Sequence, residues 1–272
     1  MTVDYSHYKW QEVPKLVNQR SVAILPLGAT EEHGHHLPMD VDTEIAVNIC
    51  REAAKKSSKD VVLPPIPFGF ESHHMGFPGT IDIPSATLIE FGRAVTGSLA
   101  QHGFQHILLV NGHGSNRPVI DLIARNTIVD YPETLCASIS WWEFQKVREA
   151  ARGILSEEPT SHGCDLETSV YMYLHPDRVD MSKARADGLD NITPHFWNDL
   201  LGRRPEGYAN PAKMMEIWHT MTESGVRGDP RSSTAEKGKI LFEAAADELA
   251  DLLEEFRERK PRQPIGPVYP RE

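Results

Sequence analysis

The sequence predicts an α/β domain organised around a mainly parallel sheet. Three observations carry this expectation. Short apolar, β-branched runs at 22–27, 61–66, 106–110 and 135–140 recur along the first half of the chain, and such runs suit strands covered on both faces. Between them, apolar residues fall at helical spacing rather than alternating. The first and third runs end in polar loops, GATEEHGHH and NGHGSN, and open α/β sheets bind their ligands beyond the carboxyl ends of the strands.

The elements follow in order. After the first strand, Val41, Ile45, Ile49 and Ala53 mark one face of a helix that Asp40 or Asp42 is placed to cap. Leu88, Phe91, Val95 and Leu99 mark a second helix that stops at Gly103. Beyond the third strand, Asn116 and Pro118 open a helix carrying Val119, Ile120 and Ile123, since proline is tolerated in a first turn. A helix over 163–174 and a long amphipathic one over 234–256, with Ile240, Leu241, Ala244, Leu249, Leu252 and Phe256, complete the pattern. The stretch 183–231 is rich in Gly, Pro, Asn and Arg and is interrupted by PHFWNDLL and MMEIWH; such a segment is expected to form a lid or an oligomer contact. The proline-rich tail, 260–272, is expected to run extended along the surface or a neighbouring subunit. A chain of 272 residues can bury its core as one domain, 1–272, without crosslinks.

Composition excludes several classes of function. The three cysteines, Cys50, Cys136 and Cys164, are widely separated and form no C-x-x-C pair, so neither a disulfide framework nor a thiolate zinc site is indicated. A reducing, cytoplasmic compartment is expected. The N-terminus has neither the apolar core of a secretory signal nor the character of a transit peptide, and no apolar run is long enough to cross a bilayer. With 28 Lys plus Arg against 39 Asp plus Glu, the net charge of −11 argues against nucleic acid and anionic membranes as partners.

The chemistry concentrates after the strands. Residues 31–42 hold four carboxylates and three histidines, His113 stands in the loop after the third strand, and SHGCDLETS places His162 before a helix and Glu167 in its second turn, beside VYMYL. Oxygen and nitrogen donors of this kind suit zinc, manganese or iron(II), and a shared carboxylate relieves repulsion between two cations. Taken singly, 31–36 also reads as a polar surface loop, His113 as a turn cap and Glu167 as a solvent-facing helix residue. A buried Glu167 would need a partner or a metal.

The blocks LPLGATEEHGHHLPMDVDTEIA, FGFESHHMGFPGT, LLVNGHGSN, SHGCDLETS and GDPRSSTAEKG, in this order over nearly the whole chain, resemble the creatininase family of metal-dependent amidohydrolases. The resemblance implies a three-layer α/β/α fold with a mainly parallel central sheet and a homo-oligomer, commonly a hexamer. It implies two divalent metal ions per subunit, zinc first, with manganese or iron as alternatives. Glu31 and His113 would bind one, His33 the other, and Asp42 would bridge them. The substrate it implies is a small amide, cyclic or linear, cut at a non-peptide C–N bond; a formamide hydrolase and a cofactor-precursor peptidase are other members.

Departures from creatininase itself refine the site. Creatininase has a glutamate two residues after the histidine of its Asn-Gly-His motif, and this chain has Ser115. The second cation then lacks a carboxylate, and Glu167 is the candidate to supply it. His162 is expected to shuttle the proton from water to the leaving amine, with a capping or supporting histidine as its other reading. Ser72 and His74 match a loop near the family's pocket, although adjacent histidines also suit an exposed turn. Trp142 aligns with one pocket tryptophan, whereas Glu158 replaces another and Gly114 replaces a tyrosine. With Ser115, these five are the substrate-binding candidates. The loops 28–42 and 69–80 contain no Lys or Arg, which disfavours a phosphorylated substrate and a dinuclear phosphoesterase, unless Arg117, Arg203, Arg204 or Arg227 reaches in. A non-catalytic metal-binding scaffold is the alternative of another class.

Overall fold

The computed structural model describes residues 2–156, 159–188 and 192–262. A short helix, α1 (Val13–Asn18), leads into β1 (Ala23–Leu27). There follow α2 (Val41–Ser57), β2 (Val61–Val62), α3 (Ser85–Gln101), β3 (His106–Asn111), α4 (Arg117–Asp130) and β4 (Leu135–Ser140). The helices α5 (Gln145–Ala151), α6 (Asp165–Leu174) and α7 (Ala235–Glu258) complete the order. The strands form one parallel sheet in the order β2-β1-β3-β4.

Strand alternation divides the interior into two cores. Val22, Ile24, Leu108 and Val110 point into one with α2, α5, α6 and α7, while Ala23, Leu25, Leu27, Ile107 and Leu109 point into the other with α1, α3 and α4. This is the expected three-layer arrangement, and it follows from side chains alternating across a strand. From β1 the chain crosses to β2 on one side, whereas from β3 it crosses to β4 on the other. The carboxyl ends of β1 and β3 therefore flank a switch point, the position at which open parallel sheets leave a crevice.

Several local expectations are corrected. The strand expected over 61–66 is regular only at Val61–Val62, with a single further bridge from Leu27 to Ile66, because Pro64 and Pro65 have no N–H for a ladder. Phe91 is 53% exposed. The buried stripe of α3 runs through Leu88, Gly92, Thr96 and Leu99 instead. Gly92 lets α4 approach so closely that an added Cβ would lie 2.4 Å from Ile123 Cδ1. Ile240 is likewise exposed, and Leu241, Ala245, Leu249 and Leu253 form the buried face of α7. Asp40 occupies the N-cap position of α2 without capping it, since its carboxylate accepts from Tyr171 Oη at 2.7 Å. Most of the expected extended tail, 263–272, lies outside the described residues. No helix among those described is long and apolar enough to cross a membrane.

Candidate metal centre

Five segments converge at the β1/β3 edge: the loop after β1 with Glu31, Glu32 and His33; the first turn of α2 with Asp42; the loop 69–80 with Glu71, His73 and His74; the end of β3 with His113; and the start of α6 with His162 and Glu167. All of these side chains are buried. Asn111 fixes the β3 end, accepting from the His113 N–H at 3.1 Å and donating Nδ2 to the His113 carbonyl at 2.7 Å. Gly112 is required between them, because a Cβ there would sit 2.2 Å from the backbone oxygen of Asp42. The Asn-Gly-His sequence thus brings β3 and the α2 terminus close enough for their side chains to meet.

Asp42 faces two histidines. Its Oδ1 lies 3.1 Å from His33 Nε2 and its Oδ2 3.1 Å from His113 Nδ1. Glu31 Oε1 is 2.8 Å from His113 Nδ1. Glu167 Oε2 accepts the Gly163 N–H at 2.7 Å and lies 4.0 Å from His33 Nε2. The His33 and His162 rings are 4.1 Å apart between centroids. His162 Nε2 is bonded to the Glu32 backbone oxygen, and its Nδ1 is 3.7 Å from Glu31 Oε1. The donor atoms group into sets of metal-binding size, including Glu31/His33/Asp42, His33/His162/Glu167 and Glu31/Glu71/His113.

The electrostatics fit cation binding. Burial acts to lower the histidine values, but Asp42 raises His33 to about 10 and Glu31 raises His74 to about 9. His113 is raised well above its usual value against burial, by Glu31 and Glu71. Burial raises Glu167 to about 8 and, with Glu31 beside it, raises Glu71 to about 8. Glu31 moves the other way, since His113, His74 and His162 outweigh its burial and hold it well below the carboxylate range. Protons thus bind the group as cations would, and divalent ions would displace them on binding. Both oxygens of Glu31, both oxygens of Glu71 and Nε2 of His113 make no hydrogen bond. Buried lone pairs in that state are costly unless an ion takes them up.

Trp218, from the segment 183–231, packs on this centre. Trp218 stacks on His74 with centroids 4.4 Å apart and meets His162 edge-on at 5.2 Å. Its backbone N–H donates to the His73 carbonyl at 2.9 Å, and its Nε1 donates to the Gly225 carbonyl at 2.9 Å. Asp187 ties the following turn, with Oδ2 accepting from Thr222 Oγ1 and from the Glu223 and Ser224 backbone N–H groups. Burial acts to raise the Asp187 value, but these bonds hold it down to about 2. A folded value below the unfolded one, about 4, gives stability that is full above pH 4 and lost as pH falls toward 2. Asp187→Asn should abolish that dependence and loosen 218–228 by about 1.5–3 kcal/mol, the usual worth of hydrogen bonds to a charged group. Hydrogen exchange of those amides between pH 2 and 5 is the measurement; identical protection in the variant would show that Asp187 is not the clamp.

Over residues 6–253 the chain matches the family Creatininase, described as creatinine amidohydrolase. The chain belongs to the creatininase family. It is similar to the creatinine amidohydrolase of Pseudomonas putida, 28% identical over 86% of this chain and 89% of that protein. It is equally similar to the mycofactocin precursor peptide peptidase of Mycolicibacterium smegmatis, 28% identical over 87% and 85% of the two chains. The solved structure of a manganese form of creatininase superposes with a TM-score of 0.76 at 24% identity, over 94% of this chain and 99% of that one. This creatininase-family chain is therefore an enzyme of a hydrolase family.

Of the sequence-predicted site residues, the structure brings together Glu31, His33, Asp42, His113, His162, Glu167 and His74. Ser72 is not among them: its exposed hydroxyl donates to Asp82 Oδ2 at 2.7 Å, bracing the loop. Ser115 turns toward the 69–80 loop, with Oγ 2.8 Å from His73 Nε2. Gly114 is exposed, with no atom within 4 Å of where a Cβ would stand. Trp142 is fully buried in the apolar core, edge-on to Trp141, rather than on an open pocket wall. Glu158 lies outside the described residues. Arg117 and Arg204 line a separate cleft of about 390 Å³ with Arg148, Lys213 and Trp197; the backbone of Arg227 pairs with that of His162, and Arg203 pairs with Asp199 at 3.1 Å. Sequence reasoning missed Glu71 and Glu32. Glu32 accepts from His74 Nδ1 at 2.9 Å and from Thr80 Oγ1 at 3.2 Å.

Proposed function

We propose that this chain is a dinuclear metal-dependent amidohydrolase that cuts a non-peptide C–N bond in a small amide other than creatinine. The observation that carries the reading is Asp42, whose two oxygens face His33 and His113 separately while the Glu31 oxygens make no hydrogen bond. Glu31, His113 and Asp42 would hold one cation, and Asp42, His33 and Glu167 the other. Bound there, the cations supply Lewis acidity that lowers the pKa of water and polarises a carbonyl.

The chain's own groups do the rest. The bond from His162 Nε2 to the Glu32 carbonyl places the ring proton on Nε2, leaving a lone pair on Nδ1 that faces Glu31. Nδ1 takes the proton from the attacking water and returns it to the departing nitrogen. Trp218, stacked on His74, walls the site and excludes bulk water, and the low exposure of every cluster residue suits a small substrate. The open space at Gly114 leaves the far side wider than aromatic walls on both faces would make it. A flat ring as small as creatinine is then poorly held.

The test is a screen of amides, lactams, formamides and short peptides against protein reconstituted with zinc or manganese. Creatinine should be turned over with kcat/KM below about 10⁴ M⁻¹s⁻¹, the low end of ordinary enzyme efficiency; a higher value overturns its exclusion. The similarity to the mycofactocin precursor peptide peptidase favours a second reading, a peptidase, and turnover of peptides alone would select it. Protein that binds neither zinc nor manganese would instead be a scaffold.

A further inference from the structure

We propose that Glu71, supplied by the 69–80 loop, is a direct ligand of a cation shared with Glu31 and His113. This rests on the metal-dependent reading of the site. Glu71 is 0% exposed, and neither of its oxygens makes a hydrogen bond. Its Oε1 lies 2.8 Å from His113 Nε2, yet that nitrogen also makes no hydrogen bond. The two atoms are close without being aligned as donor and acceptor. Electron-pair donors adopt that relation around a shared electrophile: ligand atoms about 2.1 Å from a cation stand roughly 3 Å apart along an octahedral edge. Glu31, Glu71 and His113 form one of the compact donor sets in the structure.

The position is built. The Glu71 N–H donates to Asp82 Oδ1 at 2.7 Å, and Asp82 Oδ2 accepts from Ser72. Asn116 ties the same loop to β1, accepting the Phe70 N–H at 3.1 Å and donating to the Gly28 carbonyl at 3.0 Å. Gly69 clears the space, since a Cβ there would stand 2.5 Å from Glu71 Oε1. Ser115 cannot take the role while its hydroxyl is engaged with His73.

The test is cobalt(II) and zinc titration of the full-length protein and of Glu71→Gln, followed by calorimetry and by the visible ligand-field absorption of the cobalt form. We expect Glu71→Gln to weaken one binding event by more than about 100-fold, beyond the 10–100-fold of a residue that merely supports a ligand. The ligand-field bands at saturating cobalt should also change in shape and intensity. Without metal, the variant should melt no lower than the parent, because it loses a buried unpaired carboxyl. An unchanged cobalt spectrum, or affinity within tenfold of the parent, overturns the assignment. A lower melting temperature of metal-free Glu71→Gln overturns it in favour of a structural role. Parent protein that binds one cation instead of two refutes the dinuclear reading but leaves Glu71 to be decided by the spectrum of that one.

Discussion

Asp42→Ala should strip the centre of both cations and lower turnover at least about a thousandfold, a barrier increase of about 4 kcal/mol, whereas Glu31→Ala or His113→Ala should remove mainly one cation. The difference follows from position. Asp42 presents Oδ1 to His33 and Oδ2 to His113 at 3.1 Å each, so its loss disconnects both halves. Glu31 faces His113 at 2.8 Å, leaving the His33 and Glu167 side intact. Charge would deepen the loss, since Asp42 is the carboxylate that most raises His33, and two cations held as proposed would lose their shared anion. Elemental analysis of the purified variants is the direct measurement. An Asp42→Ala protein holding two metals per chain at parental affinity would end the bridging assignment, and a correctly folded variant with near-parental turnover would end the metal-dependent one.

The parallel sheet and the site edge were legible because both depend on patterns that survive in one dimension. Runs such as 106–110 are apolar on both faces, and their alternation into two cores is what makes them parallel interior strands. The polar loops 28–42 and 112–116 announced themselves by interrupting those runs. Less of β2 was legible, because the apolar run 61–66 hides two prolines whose missing donors only matter once a neighbour is in register. Phe91 was misplaced for a similar reason. Period alone puts it on the stripe, but Gly92 is where α3 meets α4, and a glycine carries no hydrophobic signal. Glu71 was overlooked because a carboxylate in FESHH resembles loop solvation until burial is known. The wall formed by Trp218 was foreseen only as one of several aromatics in 183–231, since no local pattern specifies which loop residue will stack on His74.

His162→Asn should lower kcat by about 10²–10⁴, the usual contribution of a positioned acid–base group, while the metal content stays at the parental level. The structure defines the tautomer: Nε2 is bonded to the Glu32 carbonyl, so Nδ1 carries the lone pair, and at 3.7 Å from Glu31 Oε1 it is turned toward the centre without being consumed by a direct bond. Burial, with His33 and His74 nearby, pushes its basicity well below the ordinary value. On the proposed mechanism the ring would rest neutral, accept a proton only as charge develops on the attacking water, and give it up readily to a departing nitrogen. An interaction made in the transition state and not in the bound substrate lowers kcat and kcat/KM together, so KM should barely move. The competing role is ligation, because His162 groups with His33 and Glu167 at metal-binding distances. Metal content separates the two. A variant that loses a cation makes His162 a ligand, one that keeps its cations and loses kcat makes it the proton shuttle, and one that keeps both reduces it to a residue that positions the Glu32 backbone.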